Sequence, residues 1–215
     1  MIGIVALGLG ALGLMGGRKR SGSKTMQGAA GVKFLNVSRE TLGQGAASGV
    51  TGPYATLIAT SDADAKNAAK LRDMMKMSGC ALVVRGWLQR AGAYSRILQE
   101  PYRIGQAVAD VVQLAREASA WTPATRSTVL RPGDIYLIGV PEHVGVLESV
   151  TPNAVGTIDG GQRDAKGLQT IARTTRQIVR SGRGVLLNGR PLIGTIDTTK
   201  LLAHHRRPSS ESPVS

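Results

Sequence analysis

The chain has 215 residues, 27 Lys+Arg against 14 Asp+Glu, and a formal net charge of +13. That length holds one domain with appendages, or two small ones, and can bury a core without covalent staples. One cysteine excludes a disulfide framework and a cysteine-rich zinc site. An aromatic content of 3% argues against a stacking platform for single-stranded nucleic acid, while the excess of cations points to an anionic partner.

Residues 1–17 carry no charged side chain, and Arg18, Lys19 and Arg20 follow at once. A helix of that length, at about 1.5 Å per residue, barely spans a hydrocarbon core of about 30 Å. A secretory signal carries its positive charge before the apolar run. Here the charge comes after it, which marks a cytoplasmic edge under the positive-inside rule. A hydrophobic plug inside an assembly such as a virion is the other reading. Residues 1–20 are therefore an anchor or plug toward a membrane or virion proteins. Gly8, Gly10 and Gly13 spell a dinucleotide-type glycine pattern, but the first acid is Glu40 and the basic triplet breaks the helix that should follow.

Residues 21–53 are rich in Gly, Ser and Lys/Arg and read as a linker with one short strand, Val32–Val37. Ser61 or Asp62 caps a predicted helix from Ala63 to about Met77. Cys80 opens a second helix, which ends at Ala91 before Gly92. A third runs from Ile104 to Ala118 with an apolar stripe. After Pro123 the pattern changes to strands: Asp134–Gly139, His143–Val150, Ala154–Asp159 behind a turn at Thr151-Pro152-Asn153, Ala172–Val179, and Leu192–Asp197. Helices first and strands second give an α+β class with an antiparallel sheet. Residues 54–203 form the main domain, and 204–215 a flexible tail in which His204 and His205 are solvated.

Cys80 at a helix start sits near unsatisfied backbone N–H groups and the positive dipole end, which favours the thiolate. Of the three histidines only His143, at the head of a strand, is placed to serve as its base. If Val150 pairs with Asn153 or Ala154, Asp159 lies almost opposite His143; pairing with Ala154 puts both on one sheet face. A carboxylate there can hold the imidazole. Gln162, on the loop just beyond, is the rival orienting group, and a turn-forming role before Gly160-Gly161 is the other reading of Asp159.

Ser78-Gly79-Cys80-Ala81-Leu82-Val83, with Trp87 and Gly92, resembles the nucleophile helix of the NlpC/P60 and CHAP families. Arg131-Pro132-Gly133-Asp134-Ile135 resembles their P-G-D strand, and His143-Val144-Gly145-Val146 their H-V-G-I strand. Thr157-Ile158-Asp159-Gly160-Gly161-Gln162 and Gly194-Thr195-Ile196-Asp197 resemble the segments that follow. The chain departs from the pattern at Gly79 and Ala81, which flank the cysteine, and only Tyr54 could stand for the upstream tyrosine. The resemblance implies a papain-like fold, with N-terminal helices on an antiparallel sheet and an N-terminal hydrophobic helix in addition. It implies Cys80 as nucleophile, His143 as base and Asp159 or Gln162 as third member. The implied activity is a cysteine amidase or endopeptidase cutting peptidoglycan stem peptides without metal or cofactor, acting at the cell envelope. The alternative is a non-catalytic membrane or virion component on the same fold.

Between Gly160 and Arg207 there are ten Lys/Arg and two Asp/Glu. On a strand, Arg176 and Arg180 share one face, and Arg173 and Arg183 the other. The stretch reads as a solvated face or as an attraction to anionic wall polymers. It lacks the aromatic interleaving or recognition helix of a nucleic-acid binder.

Overall fold

The computed structural model describes residues 28–59, 61–76, 79–101, 107–139, 142–182 and 184–206. Helices come first: α1 Ala29–Glu40, a 3-10 turn Ala46–Ser48, α2 Pro53–Ile58, α3 Asp62–Ala65, α4 Ala68–Lys76, α5 Cys80–Ala91, α6 Arg96–Gln99 and α7 Ala107–Glu117. The strands follow: β1 Trp121–Pro123, β2 Ile135–Ile138, β3 His143–Val150, β4 Ala154–Arg163, β5 Gln169–Ser181, β6 Gly184–Leu187 and β7 Arg190–Ile196. Helix α8, Thr198–His204, closes the order.

The strands do not form the papain-like arrangement expected from the motifs. The ladder runs β7-β2-β3-β4-β5-β6, and β6 pairs again with β7, so the sheet closes into a six-stranded antiparallel barrel with β1 added beside β7. The cause is a two-residue hairpin. Leu187 pairs with Arg190 across Asn188-Gly189, both with positive φ of 49° and 75°. Asn-Gly is the residue pair that a type I′ turn requires. That turn folds β6 back on β7, and closure removes the sheet edges. No helix of the described residues is long and apolar enough to cross a membrane. The predicted anchor at residues 1–20 lies outside the described residues.

Strand alternation then separates two cores. Tyr136, Ile138, Leu147, Val155, Val185, Leu187 and Leu192 point into the barrel. Ile135, Leu137, Val144, Val146, Ile158, Ile171 and Ile196 point outward, onto the helices. Helix α5 lies between helices and barrel, against α1, α2, α7, β3 and β4. From Cys80 to Leu88 it is buried on every side, and apart from Arg85 that stretch is apolar. Of its two arginines, Arg90 is exposed in the last turn, and Arg85 is buried and donates to Asp110 and to the Ile97 and Glu100 carbonyls.

The linker reading of 21–53 fails over its described part. Residues 29–40 are helical, and Val32–Val37 belongs to α1 rather than to a strand. Phe34 is fully buried, edge-on to Trp87 with ring centroids 6.4 Å apart, and the Trp87 indole donates to Thr41 Oγ1 at 2.8 Å. The tail histidines also differ. His204 is exposed, but His205 is buried with Nε2 3.1 Å from the Leu114 carbonyl. The predicted helix from Ala63 to Met77 breaks into α3, capped by Ser61, and α4, where Asn67 Oδ1 accepts from Lys70 N–H.

Candidate functional site

Three elements meet at one end of the barrel. Helix α5 starts at Cys80, behind Gly79, with no side chain capping it. Its first N–H groups are therefore free of helical partners. Strand β3 brings His143, and β4 brings Asp159. Val150 pairs with Val155, not with Asn153 or Ala154 as expected. An irregularity between Leu147 and Ser149 then shifts the ladder, so that Val146 faces Ile158. That is the register a 150-to-154 pairing would have given, and it puts Asp159 across from Gly145, on the same face as His143. His143 Nε2 lies 2.9 Å from Asp159 Oδ1. With Nε2 so engaged, Nδ1 is the nitrogen left for the Cys80 thiol, which hydrogen-bonds to the imidazole.

The glycine of the H-V-G segment has a spatial reason. A Cβ on Gly145 would come within 2.2 Å of Asp159 Oδ1 and 2.9 Å of the Tyr136 ring. Only a bare backbone lets the carboxylate lie over the strand and reach the histidine two residues away.

Asp159 is fully buried and fully partnered. Oδ1 also accepts from the Tyr136 hydroxyl. Oδ2 accepts from Thr157 Oγ1 at 2.7 Å and from Arg176 Nη2 at 2.9 Å, and Arg176 Nε donates to the Tyr136 hydroxyl at 3.0 Å. Burial alone would raise this carboxyl's pKa. The His143 hydrogen bond, the His143 and Arg176 charges and the Tyr136 hydrogen bond outweigh it and hold the pKa at about 2. For His143, burial favours the neutral ring, but the bond to Asp159 and the Cys80 partner prevail and raise the pKa to about 9. The imidazole is thus a cation at neutral pH. A cation beside a thiol favours the thiolate.

Two further polar groups face the head of α5. Tyr54, on α2, is fully buried, and its hydroxyl has no hydrogen-bond partner among the described residues. Burial, then the neighbouring Cys80 charge, pushes its pKa well up, so it is a neutral donor. A Cβ on Gly79 would sit 2.5 Å from that hydroxyl. On the other side, β4 bulges between Asp159 and Gln162, at Gly160-Gly161. Gly161 has φ of +71°, and its Cβ would lie 2.8 Å from Gly79 N and 2.9 Å from Cys80 N. Only a bare Cα lets this bulge of β4 rest directly against the backbone amides at the nucleophile. The Tyr54 hydroxyl, without a partner among the described residues, is a donor that can meet a developing oxyanion beside the thiolate.

Sequence reasoning named Cys80, His143, Asp159 and Gln162, and the first three converge. Gln162 lies past the bulge, paired with Thr170 on β5, and the partner of His143 Nε2 is Asp159. Tyr136, Thr157 and Arg176 were missed. The sign available for Arg176 was its placement on the Arg180 face of β5, which is the inner face of the barrel and not a solvated one; Arg176 is only 7% exposed. Among the described residues no cluster of three His, Cys, Asp or Glu could hold a metal.

Comparison of the chain with protein-family models, with curated proteins and with solved structures found no match.

Proposed function

We propose that the protein is a cysteine hydrolase of amide bonds, with Cys80 as nucleophile, His143 as general acid and base, and Asp159 as the group that orients and charges the imidazole. The observation that carries this reading is the junction of helix start, imidazole and buried carboxylate at one end of the barrel. In the reaction the thiolate sulfur attacks the amide carbon, and the oxygen becomes an oxyanion that the Tyr54 hydroxyl stabilises. His143 gives its proton to the amine as the C–N bond breaks. Water then attacks the thioester carbon and passes a proton to His143, releasing a carboxylic acid and restoring the thiolate–imidazolium pair. Arg176, Tyr136 and Thr157 hold Asp159 in place.

The H-V-G, P-G-D and cysteine-helix segments, together with the basic charge, support peptidoglycan stem peptides as the substrate. The apolar run before Arg18–Arg20 supports attachment to a membrane or a virion. The near-complete burial of Cys80, 4% exposed, favours the competing reading of a non-catalytic envelope or virion component. Digestion of purified peptidoglycan by the full chain, beside Cys80→Ala, decides between them. New amine-bearing fragments in mass spectra from the parent alone establish the hydrolase and identify the bond. Intact polymer with both proteins overturns it.

A further inference from the structure

Beside the head of α5 lies a cavity of about 450 Å³ between the 3-10 turn, α4 and the β4–β5 turn. Its floor is apolar, with Ala46, Val50, Met75 and Leu168, and its rim carries Arg72, Lys76 and Arg163. All three cations are exposed. Lys76 has Asp73 at 3.4 Å, while no carboxylate among the described residues lies within salt-bridge distance of Arg72 or Arg163. Gln169 also lines the cavity. It is buried, yet its Oε1 has no hydrogen-bond partner among the described residues. A buried acceptor left unpaired is costly and calls for a donor.

The cavity joins the candidate site through this glutamine. Gln169 Oε1 is 3.3 Å from the point that a Gly161 Cβ would occupy, and that point is 2.9 Å from Cys80 N. Gln169 Oε1 and Cys80 N are therefore at most about 6 Å apart, and a peptide whose carbonyl reaches the Cys80 thiol can bring a neighbouring N–H to Gln169 Oε1. Continuing outward, it meets the apolar floor and then the cationic rim.

We propose that this cavity is the substrate subsite, and that it takes a peptide segment bearing a free carboxylate one or two residues from the scissile amide. Gln169 accepts a peptide N–H, the floor covers an aliphatic side chain, and Arg72 and Arg163 take the carboxylate, with Lys76 at the rim. The proposal rests on the cysteine-hydrolase reading for its reacting amide.

Binding and turnover separate the two. The probe is the N-acetylated tetrapeptide Ala-γ-D-Glu-Lys-D-Ala, as free acid and with both carboxylates amidated. Calorimetric titration uses full-length Cys80→Ala, which cannot turn it over. The free acid binds at least ten-fold more tightly than the diamide, and Arg72→Ala with Arg163→Ala removes that ratio. Both side chains are exposed, and because Arg163 Nη1 donates to the Gly167 carbonyl at 2.6 Å in the β4–β5 turn, urea unfolding of the double variant checks that its fold is kept. The control is Arg90→Ala with Arg126→Ala, equal in charge but remote: Arg90 is at the far end of α5, and the Arg126 carbonyl accepts from Arg180 at the far end of β5. This control keeps the ratio. Equal binding of acid and diamide, binding of neither, or equal loss in the two double variants overturns the subsite. Carboxylate-dependent binding without hydrolysis by the parent leaves the subsite standing and sinks the catalytic reading. Hydrolysis of both peptides with the same KM does the reverse.

Discussion

Asp159 is the residue on which the electrostatics of the site turn, because it serves His143 with one oxygen and Arg176 with the other. The pH consequence has a definite sign. His143 is raised to about 9, so the thiolate–imidazolium pair persists through neutrality and is lost as pH rises through that value. The kcat/KM profile of the parent therefore falls on its alkaline side near pH 9. Asp159→Asn removes the bond and the charge that raise the imidazole, so the alkaline limb moves down by at least one pH unit; a limb that stays in place refutes the pairing. The same change strands Arg176 inside the barrel. Breaking one partner of a buried pair costs about 3–5 kcal/mol. Asp159→Asn combined with Arg176→Met recovers part of that stability in urea titrations, while kcat/KM stays at the reduced level of Asp159→Asn. Recovery of stability without activity separates the positioning role of the carboxylate from its structural one.

Among the elements, α5 and the β4 bulge make the site by close approach, and that approach tolerates no side chain at Gly161. Gly161→Ala places a methyl group against the Gly79 and Cys80 amides, at a φ that L-residues adopt at a cost of about 1 kcal/mol or more. It lowers kcat at least ten-fold in a peptide-hydrolysis assay, with a stability loss of about 1–3 kcal/mol by urea unfolding. Helix α1 carries a second prediction. Phe34→Ala opens a hole beside Trp87 and costs about 3–5 kcal/mol. A chain beginning at residue 54 loses all of α1 and fails to give a cooperative thermal transition. Legibility in the sequence follows the same physics. Helix α5 and strand β3 show their limits in the residues, because Cys80–Ala91 ends at a glycine with φ of 103° and His143 heads a clean run. Asp159 was legible through a two-residue period. Helix α1 was not, because its glycine, serine and lysine content hides the spacing of Phe34, Leu35 and Ser38, which only packing against α5 and α8 brings inside. Barrel closure hung on Asn188-Gly189, a short signal in a basic stretch that drew attention to its charge. Arg176 was hidden for the same reason: a closed sheet has an inside, and a charge there is read correctly only once the closure is known.

At the scale of the whole molecule, stability against pH is the sum of three buried ionisable groups that pull in different directions. Asp159, held near 2, contributes stability that is present above about 4 and is lost as pH falls through 2. His143, raised to about 9, contributes stability that is complete below 6.5 and lost as pH rises through 9. Asp134, where β2 begins, is raised to about 7 by burial and by the nearby Asp197 carboxylate, against the smaller opposing effects of Arg131 and the Thr198 N–H. A carboxyl that binds its proton more tightly in the folded chain lends stability below its ordinary pKa of 3.8, and that stability is lost as pH rises through 7. At about 1.4 kcal/mol per pKa unit the loss is on the order of 4 kcal/mol. Asp134→Asn keeps an oxygen for the Thr198 N–H and has no charge to desolvate. The variant therefore matches the parent in urea unfolding at pH 4 and exceeds it at pH 8. The chain's net charge of +13 makes acid unfolding by self-repulsion a concern at the lower pH. The test reads the difference between two proteins of nearly equal charge, so that repulsion cancels. An equal midpoint at pH 8 would mean that Asp134 is ionised in the fold at little cost, and that the segment joining β1 to β2 is better solvated than its burial indicates.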